Sequence, residues 1–426
     1  MSRIRIGVVG AGAAGMTAAL TAAEAGAEVT LLESGERVGR KILSTGNGKC
    51  NLGNPDPAPG AYRGADKQWL ADCLGRFGAE DTIRFFAKLG LLIKEKNGGL
   101  YPVCEQAAAV LDAFRAALRV SGLRLTTCGR VQDIHRDPKG GFAVRTADET
   151  YHFDRVILAC GGKAAPKTGS DGSGYALARG LGHTIVPVVP ALVQLRCRES
   201  YLKEVAGVRA DARISVVRAE KFKLTNRGAG TNGEELTERG ELQLTDYGVS
   251  GIPVFQLSRE VNYMLRDMGK GGEAELSVNL LPDLDEADFE GFCADRKRSL
   301  TDRTAEEFFT GIVHKKLMYL FLKLAGISRD TPVKTADERK LAEVFALCRD
   351  WRLHVTGSNS FDNAQVCAGG VDTAEVTVNM ESRRVPGLYF AGEILDVDGR
   401  CGGYNLHWAW CSGYLAGNAA AGNSEV

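Results

Sequence analysis

The chain has 426 residues with 53 basic and 53 acidic side chains, so its formal net charge is zero. That length exceeds what one hydrophobic core usually serves and predicts two or three domains, while the charge balance removes the electrostatic footprint of a nucleic-acid or anionic-membrane partner. Glycine, at 52 residues of 426, stands well above a usual ~7% and predicts many tight turns or close approaches of backbone to a ligand.

Residues 3–10, RIRIGVVG, read as a short buried strand, and AGAAGMTAALTAAEAGA after them switches to a small-residue helix. EVTLLE at 28–33 is a second strand ending in an acid. Strand, G-x-G-x-x-G, helix, strand and Glu in that order predict a dinucleotide cradle. Gly10 permits the tight turn, Gly12 lets backbone approach a pyrophosphate, and Gly15 lets the helix pack close on the strand. The first helical turn, with Ala13 and Ala14, turns its N–H groups to the phosphates, and Glu33 sits where a carboxylate receives ribose hydroxyls. Arg3 and Arg5 before a small apolar run mimic a signal peptide, but the three glycines interrupt that run at positions the cradle explains better.

The loop GERVGRKILSTGNGKCNLGN, 35–54, is too long and too rich in Gly, Lys, Arg and Asn to be another helix. It suits a chain laid along an extended cofactor, which favours FAD over NAD. YHFDRVILACGG, 151–162, reads as one strand facing a nucleotide, followed by a glycine-rich turn into a helix at TGSDGSGYALARGLG. From VVPALVQL (188–195) to ELSVNLLP (275–282) the pattern is one of short alternating strands. GAGTNG at 228–233 also fits G-x-G-x-x-G but lacks the strand and helix, and reads as a hairpin with an Asn-Gly turn. Residues 283–348 are helical in pattern, with the MYLFL stripe as plain core. RLHVTGSNS, 352–360, returns as a strand, and VPGLYFAGE, 385–393, is the last strand of the nucleotide fold. No apolar stretch approaches ~18 residues, so no membrane span is expected. Eleven cysteines form no CxxC pair and no Cys/His cluster at zinc spacing. They predict free thiols in a reducing cytoplasm, no metal site and no disulfide relay.

GAGAAG with Glu33, GRKILSTGNGKCN, GGKAAPKTGSDGSGY, GELQLTDYGVSG and MESRRVPGLYFAGEILDVDGRCGGYNLHWAWCSG together resemble the BaiN-like bacterial flavoproteins, also labelled NAD(P)/FAD-dependent oxidoreductases or aminoacetone oxidase-like. The resemblance spans nearly the whole chain and implies an α/β fold: a glutathione-reductase-type, Rossmann-like FAD-binding domain (1–190 and 365–426), an inserted β-barrel domain (191–282 and 350–364) and a small helical domain (283–349). It places the cofactor against Gly10, Gly12, Ala13, Ala14, Gly15, Glu33 and Ser34. Along the loop it implies Arg40, Lys41, Thr45, Gly46, Gly48, Lys49, Cys50 and Asn51. Farther on it implies Val131, Ala159, Gly161, Gly162, Gly392, Glu393, Asp398, Gly403, Tyr404, Asn405 and Leu406. Glu393 then accepts from the ribityl hydroxyls, and the helix starting near Tyr404 faces the flavin pyrimidine. Gly402 and Gly403 are expected because side chains would collide with the ring. Two departures from the family pattern are His407, where Gln is commoner, and the Gly-Ile-Pro of SGIPVF.

The resemblance further implies an FAD-dependent oxidoreductase that passes hydride from flavin N5 to an electron-poor C=C, an enone, of a bulky apolar small molecule. With no second cradle, either NAD(P)H visits the flavin as a transient donor or another donor serves. Alternatives are an amine or aminoketone oxidase passing electrons to O2, and a non-enzymatic flavin-binding regulatory or RNA-associated protein. The sequence singles out no catalytic residue: Tyr404, His407, Asp398, Tyr247 and Cys367 are candidate proton donors, each with a structural explanation as well. Cys50 and Cys160 are expected to pack beside the cofactor, and Arg400 to be solvated. The oligomeric state is left open.

Overall fold

In the computed structural model, which describes residues 3–217 and 236–423, RIGVV at Arg5–Val9 is the central strand of a five-stranded parallel sheet. In space the order is Leu388–Phe390, Arg155–Leu158, Arg5–Val9, Glu28–Leu32, Arg124–Thr126. The inner runs are mostly apolar because a parallel sheet is covered on both faces, and Ile6, Val8, Leu31, Val156, Ile157 and Leu388 have no exposed surface. The register sets Val9 beside Leu32 and Leu158, and Leu158 beside Phe390. The strand ends are therefore level, and the segments starting at Gly10, Glu33, Ala159 and Ala391 emerge along one edge. In open parallel sheets that edge is where ligands bind.

The helices Ala13–Glu24 and Tyr404–Ala421 cross in direct backbone contact. A Cβ on Gly413 would lie 2.5 Å from the Ala14 carbonyl oxygen, and one on Gly417 would lie 2.5 Å from that of Ala18. The first and last helices of the chain thus share one core.

The stretch 151–162 is not one strand. Thr150–Phe153 belongs to a three-stranded antiparallel sheet with Asp133–Arg136 and Phe142–Arg145, while Arg155–Leu158 joins the parallel sheet. The switch falls at Asp154, whose carboxylate accepts from the Arg5 backbone N–H at 2.9 Å and from its guanidinium at 2.8 Å. The side chain that an uninterrupted strand would send outward is used to tie two ladders together.

The described residues divide into two units, 3–190 with 364–423 and 191–217 with 236–363. In the second, Leu195–Cys197, Gly248–Ser250, Thr237–Leu244, Arg209–Val217, Ala274–Asn279 and Trp351–Ser358 close, in that order, into a barrel. Ala212, Ile214 and Val216 point inward from alternate positions of one strand. The strand-only expectation for 188–282 is corrected here, since Ile252–Met268 is a 17-residue α-helix. Its signals were local: Pro253 in the first turn, Gly251 before it and Gly269 after it. Val254, Leu257, Val261 and Met264 recur at helical spacing and are buried. GAGTNG at 228–233 lies outside the described residues, although Arg209–Val217 and Thr237–Leu244 on either side pair antiparallel. Helices Glu286–Ser299, Ala305–Phe309, Lys315–Leu324 and Glu338–Arg349 follow. Met318, Leu320, Phe321 and Leu322 of the MYLFL stripe are core, shared with the barrel, and Phe321 packs edge-on to Trp351 at 5.3 Å. No helix among the described residues is long and apolar enough to cross a membrane.

Replacing Gly417 with valine forces the two helices apart, and overpacking of this kind costs about 1–3 kcal/mol. Gly417→Val is expected to lower the urea midpoint without changing the m-value; an unaltered midpoint would show the crossing to be loose.

Candidate cofactor site

At the level strand ends lies a cavity with about 1320 Å³ of empty space, part of it open to solvent. Its wall takes Gly10, Gly12, Ala13 and Ala14 from the first loop and helix, Glu33 and Ser34 from the second strand end, and Arg40, Lys41 and Thr45 from the long loop. Val131, Ala159, Gly161, Gly392, Glu393, Asn405 and Leu406 complete the expected residues found there. Segments nearly four hundred residues apart in sequence therefore line one space.

Gly12 carries the clearest physical sign of an occupant. Its backbone is extended at φ −81°, ψ −166°, a conformation other residues adopt, and a Cβ built there would meet no protein atom within 4 Å. Nothing in the chain itself demands glycine, yet the residue faces the cavity. The space a side chain would fill is space for a ligand that approaches the backbone closely, as a pyrophosphate does at a helix N-terminus. Gly15 is different: its Cβ would fall 1.8 Å from the Gly10 carbonyl oxygen, so it serves the packing of helix on strand and lies outside the wall.

The carboxylates are held by fixed donors. Glu33 accepts from the Ala11 N–H at 2.9 Å and the Gly35 N–H at 2.7 Å, which fixes its orientation in a wall that Arg37, Arg130 and Val131 also line. Arg130 is ion-paired with Asp171. Glu393 accepts from the Lys41 ammonium at 2.7 Å and from the Cys367 N–H at 2.8 Å, so its charge is compensated from two other segments. Gly162 lies outside the wall but must be small, since its Cβ would come 2.9 Å from Glu393 Oε1.

Gly403, before the last helix, also answers to the protein's own packing. Gly403 sits at φ +94°, and a Cβ there would lie 2.5 Å from the Gly53 carbonyl oxygen and 2.7 Å from Asn51 Oδ1. The protein's own loop already requires glycine at 403, whereas Gly402 is set by its backbone at φ +123°. Asn405 brackets Gly399, accepting from its N–H and donating to its carbonyl at 2.8 Å each, which fixes the turn that feeds the helix.

Several expected contacts lie outside the wall. Gly46, Gly48, Lys49, Cys50 and Asn51 do not line it: Lys49 pairs with Glu105 at 3.2 Å, and Asn51 packs against Gly99 and Gly403. Cys50 is fully buried, and burial pushes its thiol up to about 11. Cys160 does line the cavity, with a thiol that burial pushes up to about 12; both thiols stay protonated and pack. Asp398 is buried on the two-residue strand Asp398–Gly399, and the Tyr404 carbonyl accepts from the Tyr62 hydroxyl at 3.2 Å.

None of the expected proton donors lines the cavity. His407 is fully buried, its Nδ1 lies 3.1 Å from Thr82 Oγ1, and desolvation pushes it down to about 4, so the ring is neutral and structural. Cys367 accepts from the Lys163 N–H at 3.0 Å, and burial raises its pKa. The Tyr247 hydroxyl accepts from Asn359 at 3.1 Å in the barrel unit. Wall residues that sequence reasoning missed include Arg37, Arg130, Gln365, Val366 and Trp408. A signal existed for Arg37, inside the long loop 35–54, and for Trp408, inside the GGYNLHWAW run, and none for Arg130, Gln365 or Val366.

Residues 4–419 match the HI0933-like protein Rossmann domain family. The chain belongs to this family. Among HI0933-like relatives, a Clostridium scindens protein named 3-dehydro-bile acid delta(4,6)-reductase is 42% identical over 420 residues, covering 98% of this chain and 99% of that one. An Escherichia coli protein named ribosomal RNA dihydrouridine synthase is 31% identical over 415 residues, covering 97% of each. A solved 3-ketosteroid delta1-dehydrogenase from Sterolibacterium denitrificans has the same fold, with a TM-score of 0.50 at 12% identity over 99% of this chain and all of that one. The HI0933-like fold seen here is that of FAD-dependent oxidoreductases, and the reserved space at Gly12 fits a flavin dinucleotide.

Gly12→Val is expected to abolish copurifying flavin absorbance while the apoprotein keeps its urea midpoint, because the added side chain meets only the cavity. Glu33→Ala is expected to weaken FAD binding at least about tenfold, the scale of one lost charge-assisted hydrogen bond. Stoichiometric FAD in both purified variants would remove the cradle assignment.

Proposed function

We propose that the protein is an FAD-dependent reductase that saturates an electron-poor C=C conjugated to a carbonyl in a bulky apolar small molecule. The observation that carries this reading is the end-to-end 42% identity to a delta(4,6)-reductase, on a chain whose cavity reserves ligand space at Gly12. Bound FAD, once reduced by the donor, would supply the hydride from N5. The chain's residues do the holding: Gly10, Gly12, Ala13 and Ala14 cradle the phosphates, Glu33 takes the ribose end, and Lys41 compensates Glu393 beside the ribityl chain. The N-terminus of Tyr404–Ala421, reaching the cavity through Asn405 and Leu406, favours negative charge on the ring system facing it. NAD(P)H is the proposed transient donor. The scatter of the cysteines along the sequence with no CxxC pair supports a reducing cytoplasm as the place of action.

A second reading is favoured by the E. coli relative and by a Haemophilus influenzae protein of the same printed name at 28% identity: the reduced bond is the 5,6-double bond of a uridine in ribosomal RNA. The chemistry is the same in kind, a hydride added to a C=C next to a carbonyl. The zero net charge and the higher identity to the bile-acid enzyme weigh toward the small molecule. This reading stands against the expectation of no nucleic-acid partner and is separated from the first by assay.

In anaerobic stopped-flow, NADH or NADPH is expected to bleach the flavin and a 3-oxo-Δ4 steroid to restore its colour. Restoration by unmodified rRNA but not by the steroid would select the uridine reading. A flavin bleached by a primary amine and by neither nicotinamide would overturn both in favour of an oxidase.

A further inference from the structure

One polar side chain on the Glu393 side of the cavity wall is bound to nothing in the protein. The other polar groups there are committed: the Lys41 ammonium to Glu393 itself, the Thr45 hydroxyl to the Ile42 carbonyl at 2.6 Å, Asn405 to the N–H and carbonyl of Gly399, and the Trp408 indole N–H to the Gly392 carbonyl at 3.3 Å. Gln365 lines the same wall, and among the described residues its amide has no hydrogen-bond partner. Arg37 and Ser170 are uncommitted too, but they stand on the Glu33 side. Arg37 follows two positions after the Gly35 N–H that holds Glu33. Ser170 precedes Asp171, whose ion-pair partner Arg130 comes directly after Gly129, and the Gly129 N–H donates to the Glu33 carbonyl at 2.8 Å.

The backbone presents that amide from a fixed element. Ala364 and Val366 on either side are buried while Gln365 is exposed, the alternation of an extended chain entering the strand Val366–Val371. That strand is pinned at two points, where the Cys367 N–H donates to Glu393 at 2.8 Å and the Gly369 N–H to Asp396 Oδ1 at 3.1 Å. A side chain that is both exposed and part of the wall stands where the cavity opens, so a small molecule entering there meets it. An uncharged amide with two N–H donors suits a carbonyl oxygen. In a conjugated C=C that oxygen is where charge collects: hydride added to the far carbon drives the electron pair of the double bond toward the carbonyl and leaves an enolate. A proton from water then joins the carbon beside the carbonyl, so the substrate gains one hydride and one proton. A donor aimed at the oxygen binds the enolate more strongly than the starting enone and thereby lowers the barrier.

We propose that the Gln365 amide donates to the carbonyl oxygen conjugated with the C=C under reduction and holds the enolate that hydride addition creates. The inference rests on the reductase reading for its reaction, and it applies to either substrate considered above, since the 5,6-double bond of uridine is also conjugated with a carbonyl; its binding test needs no turnover.

The test uses FAD-loaded wild type, Gln365→Met and Gln365→Glu, matched for flavin content and urea midpoint. Pentachlorophenol, ionised at neutral pH, imitates the enolate and is titrated against the oxidised protein, with binding read from the flavin spectrum. Its affinity is expected to fall roughly tenfold in Gln365→Met, the scale of one lost hydrogen bond to a charged group, and further in Gln365→Glu, which sets a carboxylate against the phenolate. In anaerobic single turnover, protein reduced with dithionite is mixed with a 3-oxo-Δ4 steroid or with unmodified rRNA. The rate of flavin reoxidation is expected to fall roughly tenfold to a hundredfold in Gln365→Met, at the lower edge for one lost oxyanion donor because the site is open to water. Phenolate affinity and reoxidation rate both unchanged in Gln365→Met would overturn the donor, and would leave the reductase reading intact where the wild type reduces either substrate. Phenolate affinity lost in the variant, with neither substrate reduced by the wild type, would sustain the donor and sink the reductase reading instead.

Discussion

The cofactor cavity depends on the crossing of the first and last helices. At Ala14 against Gly413 and Ala18 against Gly417 the two backbones meet with no side chain between them, an approach that glycine alone allows. The two glycines are four residues apart, about one turn, so the last helix is gripped along a line and cannot pivot. Each helix begins at the same edge of the sheet, and the residues of each first turn line the same space. Two positive helix ends thus face one ligand volume.

The parallel sheet supplies the other constraint. Its level register releases loops from four distant parts of the chain along one edge, and the carboxylates those loops bring are compensated where they stand. Glu33 is held by backbone N–H groups, and Glu393 by a lysine from the long loop and an N–H from the segment 366–371. Because Lys41, Cys367 and Glu393 come from three separate stretches, their pairing also ties the long loop and the strand Val366–Val371 to the end of the sheet.

The cradle was legible because its causes are local. A strand, three glycines, a small-residue helix and a terminal acid occupy thirty consecutive positions, and each residue's job follows from the one before it. The barrel helix Ile252–Met268 was missed although its caps and apolar spacing were equally local, because β-patterned segments on both sides set the expectation. The break at Asp154 was not legible, since its cause is Arg5, 149 residues away. Lys49 shows the same limit: in sequence it belongs to a cofactor loop, and in space it belongs to Glu105.

The sequence by itself determined the nucleotide fold, the flavin class and the enclosing order of domains' elements, because glycine placement and hydrophobic period act over a few residues. Only the tertiary structure decided which of those residues face the cavity and which support it. Gly12 and Gly403 are alike in sequence, yet one guards space for a ligand and the other makes room for the protein's own backbone. That difference arises from what stands opposite each residue, and a neighbour brought from elsewhere in the chain leaves no mark on the local pattern.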